Sequence, residues 1–212
     1  MEGYFVEVTN LVEVSKARTK VYIDNEFAFV LYKGELRLYH IKAGNELAQN
    51  EYDEITKKVL PKRAKLRSMN LLKSREYTEK QLRDKLSQGY YPEYIINEAI
   101  EYVKSFHYID DSRYAEQYIH YNLSMKSRKR MEMDLMKKGI CKEIMNQVFE
   151  NLEEGESEEQ ELALIRKAVA KKKYEPETAT VQEKQKLYAF LYRKGFSSEN
   201  IRKVIQTAEF CD

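Results

Sequence analysis

A chain of 212 residues with 42% hydrophobic side chains can bury a core, but 34% charge and a mean hydropathy of -0.72 argue against one thick globule and for an elongated array with much surface. No apolar run approaches the roughly 18 residues that span a bilayer, and Met1-Glu2-Gly3-Tyr4 does not read as a secretory leader, so a cytoplasmic protein with no membrane partner is expected. Cys141 and Cys211 are the only cysteines and form no CxxC pair, which argues against a disulfide or zinc framework; no metal or cofactor is expected.

The first forty residues alternate and are β-branched or aromatic. Tyr4–Val8, Val21–Ile23, Phe27–Tyr32 and Leu36–Tyr39 read as strands, with Asp24-Asn25 and Lys33-Gly34 as the turns between them, because Asn and Gly tolerate positive φ. The expected product is a small antiparallel meander closed by a short helix around Tyr52, Ile55 and Val59. The change from period two to helical spacing near residue 50 predicts that this β-rich segment, residues 1–60, is an appendage without which the rest folds. Exposed rings on its strands would make a nucleic-acid platform, but strand aromatics are more often half-buried.

From Pro61, a residue suited to the first turn of a helix, the pattern is helical to the end. Thr78/Gln81, Ser157/Gln160 and Thr180/Glu183 have capping-box spacing, and Ser127 and Ser197 or Ser198 are further N-cap candidates. Nine helices are predicted, near 61–74, 79–88, 92–106, 111–125, 128–138, 142–152, 158–173, 181–194 and 198–209. Gly89, Gly139 and Gly195 each follow an amphipathic stretch as helix C-caps. The stretches before them, Leu82–Gln88, Met131–Lys138 and Leu187–Lys194, share one pattern, and each is followed by a helix of like apolar spacing: Ile95, Ala99 and Val103; Ile144, Val148 and Leu152; Ile201, Ile205 and Ala208. The first copy is one residue shorter before its glycine. Three tandem three-helix repeats follow, at 61–109, 110–153 and 154–212, and since one such unit cannot cover its own apolar face, neighbours stack into a curved, mainly α array.

At the seam between the first two repeats lies Tyr108-Ile109-Asp110-Asp111. Asp110 is placed to cap the next helix, Asp111 sits at its positive end, and Ile109 and Tyr114 are spaced to form a hydrophobic staple. A metal or acid–base pair is the rival reading of the two aspartates, but no His or Cys at ligand spacing accompanies them. This corner, with Tyr114-Ala115, resembles that of the RecX family, bacterial recombination regulators that act on RecA filaments. Met136-Lys137-Lys138-Gly139-Ile140 and Arg193-Lys194-Gly195-Phe196 are similar to the family's second and third repeat signatures. The resemblance covers about residues 61–210 and, more loosely, the β-rich extension that many members carry.

Function is read from charge. Three histidines, no glycine-rich phosphate loop, no GxSxG and no HExxH leave catalysis without support, and no catalytic residue is expected. The segment Pro61–Tyr90 holds nine basic against three acidic side chains, whereas Glu150–Glu161 holds seven glutamates and reads as a solvated joint. Lys126, Arg130 and Lys137 fall on one side of the helix at 128–138, opposite Met131 and Leu135, with Asp134 interrupting. Arg128, Lys129, Lys138, Arg193 and Lys194 add further positive points. The resemblance implies RecA and its nucleoprotein filament as the partner of these residues, with modulation in the inhibitory direction as the outcome; a monomer with weak direct DNA binding is expected beside it. A freestanding DNA-binding module, and more weakly a scaffold, are the readings from other classes.

Overall fold

The structure, a computed structural model, describes residues 5–152, 156–172, 174–175 and 178–206. Tyr4, Ala208 and Cys211, which enter the sequence reading, lie outside the described residues. Contacts divide the chain into two compact units, 1–110 and 111–212.

The first unit begins with β1 (Phe5–Ser15), β2 (Arg18–Ile23) and β3 (Glu26–Tyr32), followed by α1 (Lys33–Leu38), β4 (Glu46–Ala48) and α2 (Gln49–Glu54). The antiparallel sheet has the order β3-β2-β1-β4. Asp24 and Asn25 take φ of 50° and 68° in the β2–β3 turn, as their side chains allow at low cost. β2 alternates strictly, with Thr19, Val21 and Ile23 turned inward.

Leu36–Tyr39 is not the expected fourth strand. The Glu35 carboxylate accepts the Tyr32 backbone N–H at 2.7 Å, which starts a helical turn instead. Leu36 and Tyr39, three apart, both reach the core, while Leu38 is 68% exposed; the period is helical, not two. Nor does a new helix start at Pro61. α2, a π turn at Ile55–Val59 and α3 (Leu60–Ser74) run on without a break, and the wide turn just before Pro61 relieves the clash between its ring and the preceding carbonyls.

α4 (Glu79–Ser87) and α5 (Glu93–Ser105) complete the unit. The expected separability of the sheet is not what the packing gives. Val8, Val21, Phe29, Leu31 and Leu47 of the strands share one core with Ile55, Leu60, Ala64, Leu82, Leu86, Ile95, Ile100 and Val103 of the helices. Arg63 of α3 closes the outer edge of β3, donating to the Val30 carbonyl at 3.0 Å, pairing with Glu35 and lying 4.8 Å over the Tyr32 ring.

The second unit holds α6 (Asp111–Asn122), α7 (Arg128–Lys137), α8 (Lys142–Glu150), α9 (Glu156–Ala170), α10 (Val181–Arg193) and α11 (Ser198–Gln206). Two cores lie in it. One joins Ala115, Ile119, Met131, Leu135, Ile140 and Phe149; the other joins Ile165, Leu187, Leu191, Phe196 and Ile201. The chain is thus mainly helical, with three three-helix units in tandem and a small N-terminal antiparallel sheet. No helix among the described residues is long and apolar enough to cross a membrane.

Thr78, Ser127, Thr180 and Ser197 each accept a backbone N–H three residues on, as their spacing predicts. α9 starts at Glu156, and the side chain of Ser157, the expected cap, lies outside the described residues. Gly139 and Gly195 take φ of 92° and 86°, and the next residue donates back across the turn, Ile140 to Leu135 at 3.1 Å and Phe196 to Leu191 at 3.3 Å. In the first repeat the equivalent bond runs from Tyr91 to Leu86, and the left-handed residue is Tyr90, φ 64°, not Gly89. That resolves the missing residue in the first copy. Gly89 answers to a different need, because a Cβ there would meet the Leu86 carbonyl at 2.9 Å and the Tyr91 ring at 3.0 Å.

Candidate partner-binding surface

The candidate surface is built on α7. Ser127 caps it, Met131 and Leu135 are fully buried beneath it, and Arg128, Lys129 and Arg130 follow the cap on the exposed side. The stripe of Lys126, Arg130 and Lys137 is not an even line of free charge. Asp134 gathers two of its members: Lys126 Nζ donates to its Oδ2 at 2.9 Å, and Arg130 Nε lies 3.4 Å from its Oδ1. Lys126 Nζ also sits 2.6 Å from Tyr118 Oη, which itself donates to Asp134 at 2.9 Å. Hydrogen bonding to Tyr118 and then Asp134 pushes the Lys126 ammonium above its ordinary pKa. The bond from Lys126 holds the Asp134 carboxyl below its own, against the opposing effect of burial.

The remaining cations are held in other ways. Arg128 pairs with Glu132 at 2.8 Å and lies 4.4 Å over the Phe149 ring. Lys138 is within 5.4 Å of the Tyr114 ring and 5.9 Å of the Tyr118 ring. Lys129 reaches α10, 5.4 Å over Tyr192, and Lys194 lies 5.0 Å over Phe190. Lys137 and Arg193 end their helices on exposed positions. Lys126, Arg128, Lys129, Arg130, Lys137 and Lys138 are therefore brought together around α7, and Arg193 and Lys194 lie at the end of α10.

Those two helix ends are joined. Ser127 Oγ donates to the Lys194 carbonyl at 2.9 Å while accepting from Arg130 N–H, so one hydroxyl serves the start of α7 and the end of α10. Gly195 makes the approach possible: a Cβ would lie 2.9 Å from Ser127 Oγ and 3.2 Å from Lys129 Cβ.

At the seam, α6 begins at Asp111, which leaves Asp110 at the capping position. Ile109 is buried in the first unit's core, whereas Tyr114 is half-buried against the Ala115–Ile119 core of the second. Tyr108 is 46% exposed and stacks on Phe106, ring centroids 5.8 Å apart. Among the described residues no group of His, Cys, Asp and Glu is placed to hold a metal. Cys141 is exposed at the start of α8. Sequence reasoning missed Tyr118 as the hub of the Lys126–Asp134 pair and Ser127 as a link between repeats. The pairs Arg128–Glu132 and Arg130–Asp134 carried a usable signal in their i, i+4 spacing.

Models of the first, second and third three-helix domains of RecX match residues 64–102, 110–148 and 158–205. Regulatory protein RecX of Caldanaerobacter subterraneus subsp. tengcongensis is 33% identical over 200 residues, spanning 93% of this chain and 98% of its own length. That of Clostridium beijerinckii is 29% identical over 196 residues, spanning 91% and 90%. A crystal structure of regulatory protein RecX superposes with a TM-score of 0.63 at 21% identity, covering 95% of this chain and 99% of its own. RecX from Lactobacillus salivarius does so with 0.60 at 24% identity, covering 71% and 97%.

Proposed function

The chain belongs to the RecX family of regulatory proteins, and from that premise we propose that it binds RecA and the RecA nucleoprotein filament and restrains the recombinase, ATPase and coprotease activities of RecA in DNA repair. The observation that carries this reading is the match of all three helical domains in tandem, over nearly the full length of relatives named as regulators. The repeats at 61–109, 110–153 and 154–212, with the β-rich extension at 1–60, are the proposed working parts of a cytoplasmic monomer without catalytic residues.

The partner-facing residues we propose are Lys126, Arg128, Lys129, Arg130, Lys137, Lys138, Arg193 and Lys194. Their pairing favours a protein-bearing partner over bare phosphate. Cations already held by Asp134 and Glu132 have less to gain from a phosphate than free ones, and as ordered donors they suit a surface of defined shape. The second reading, a DNA binder independent of RecA, draws on Arg193, exposed at the end of α10.

The test titrates this protein into the DNA-dependent ATPase of its cognate RecA. Inhibition that the double variant Arg130→Glu/Lys137→Glu weakens, with helix content unchanged, supports the proposal. Affinity for naked DNA that falls steeply with salt, alongside an unaltered ATPase, supports the second reading.

A further inference from the structure

The solvent side of α5 carries rings where an amphipathic helix places polar groups. Ile95, Ile96, Ala99, Ile100 and Val103 fill its buried side, so Tyr94, Glu98, Glu101 and Tyr102, at i, i+4, i+7 and i+8, share the outer one. Past the end of the helix the rings continue. Tyr102 meets Phe106 edge-on at 5.1 Å, and Phe106 stacks on Tyr108 at 5.8 Å. Tyr94, Tyr102, Phe106 and Tyr108 remain 55%, 37%, 53% and 46% exposed. The corner motif accounts for Tyr108 but not for Tyr94, Tyr102 or Phe106, and none of the four is among the cations proposed around α7.

Its charges say what it fits. Lys65 lies 5.3 Å over the Tyr102 ring but is held by Glu98 at 2.7 Å, and Lys104 is held by Glu79 at 3.0 Å. Glu101, with a side chain 72% exposed, has Lys104 only at 3.8 Å. The ladder thus offers ring faces and an outward carboxylate, with the neighbouring ammonium groups committed. A phosphate would be repelled by Glu101 and find no ready cation in Lys65 or Lys104. A protein surface with an apolar side chain flanked by lysine or arginine would stack on the rings and pair with Glu101.

We propose that the Tyr102–Phe106–Tyr108 ladder is a protein-docking surface for a basic, apolar patch on a RecA subunit, built from residues other than the cations around α7. This rests on the function proposed above and assigns the first unit its own contact to the same partner.

The test uses the full chain and RecA without DNA, with binding read by fluorescence anisotropy. Tyr102→Ser/Phe106→Ser should weaken binding at least about tenfold, as loss of central aromatic anchors does, while affinity for a single-stranded oligonucleotide and the thermal midpoint stay as in wild type. Glu101→Lys, a change at an exposed position, should also weaken RecA binding, by an amount that shrinks with added salt. Wild-type protein that does not bind RecA overturns the function proposed above, and this inference with it. Wild-type binding that both variants retain overturns only the ladder. Lost oligonucleotide affinity with RecA binding kept would make it a nucleic-acid platform, and a variant that converts a dimer to a monomer would make it a self-association face; either overturns the proposal.

Discussion

Gly195→Ala tests the join between the second and third repeats. Alanine at φ 86° pays a left-handed backbone penalty of about 1–2 kcal/mol. Its Cβ would also stand 2.9 Å from Ser127 Oγ, a distance real Cβ atoms do not sustain, so the hydroxyl must move and its bond to the Lys194 carbonyl is lost. A net hydrogen bond is worth roughly 0.5–1.5 kcal/mol, which brings the expected cost to about 2–3 kcal/mol. Gly44→Ala is the internal control, because it carries a similar φ of 82° and a Cβ there meets nothing within 4 Å, so it should cost only the backbone part, about 1–2 kcal/mol. Urea unfolding followed by far-ultraviolet circular dichroism gives both values. In a double-mutant cycle with Ser127→Ala, which removes the oxygen the new Cβ would strike, the double variant should lose less than the sum of the two single losses. If Gly195→Ala costs no more than Gly44→Ala, or the cycle is additive, the α10 terminus does not rest on Ser127.

The sheet and the first helices share one core, so removing residues 1–55 should open that core, lower the helical signal of the remainder and raise binding of a hydrophobic dye. A truncated chain with full helicity would show the sheet to be dispensable. Tyr114 is half-buried, so Tyr114→Ala should cost about 2 kcal/mol, less than a core ring, and Asp110→Ala about 1 kcal/mol through the cap of α6. A thermodynamically silent Tyr114 in the same unfolding assay would remove it from the second unit's core. The Lys126–Asp134 pair fixes a pH window. Asp134, depressed when folded, contributes above the ordinary carboxylate range and loses its contribution as pH falls through the lowered value. Lys126, raised when folded, contributes fully below its ordinary value of 10.5 and loses its contribution as pH rises beyond it. The difference in thermal midpoint between wild type and Lys126→Met should therefore be flat through neutral pH and shrink at both extremes; a change centred near pH 7 would contradict the pairing.

What the sequence made legible was what local chemistry decides. Thr78, Ser127, Thr180 and Ser197 cap helices because a short oxygen-bearing side chain there meets a free N–H within three residues, and the helix limits follow. Leu36–Tyr39 was misread because four residues with apolar positions at 36, 38 and 39 satisfy either period, and the deciding bond, from Tyr32 N–H to Glu35, is a detail of one turn. Gly89 drew the first repeat's cap one residue early because glycine is the usual left-handed residue, whereas Tyr90 takes that conformation and Lys20 lies 4.3 Å over its ring. The shared core of strands and helices joins residues far apart in sequence, and no pattern along the chain records it. The cations around α7 were visible as residues, yet Tyr118 became part of that surface only when α6 and α7 were seen packed together. Tyr102 of α5 and Phe106 just past its end stood four apart, a spacing that marks a shared face but not which side of the helix faces water.

In the proposed function this protein acts on the filament itself and not on the DNA. The most direct measurement is the ATPase of preformed RecA filaments on single-stranded DNA, with no free DNA present, as this protein is titrated in. ATP hydrolysis should fall progressively, less for Arg130→Glu/Lys137→Glu and less steeply as salt screens exposed charges over roughly 8 Å. Filaments that keep full activity across a broad titration of wild-type protein would contradict it.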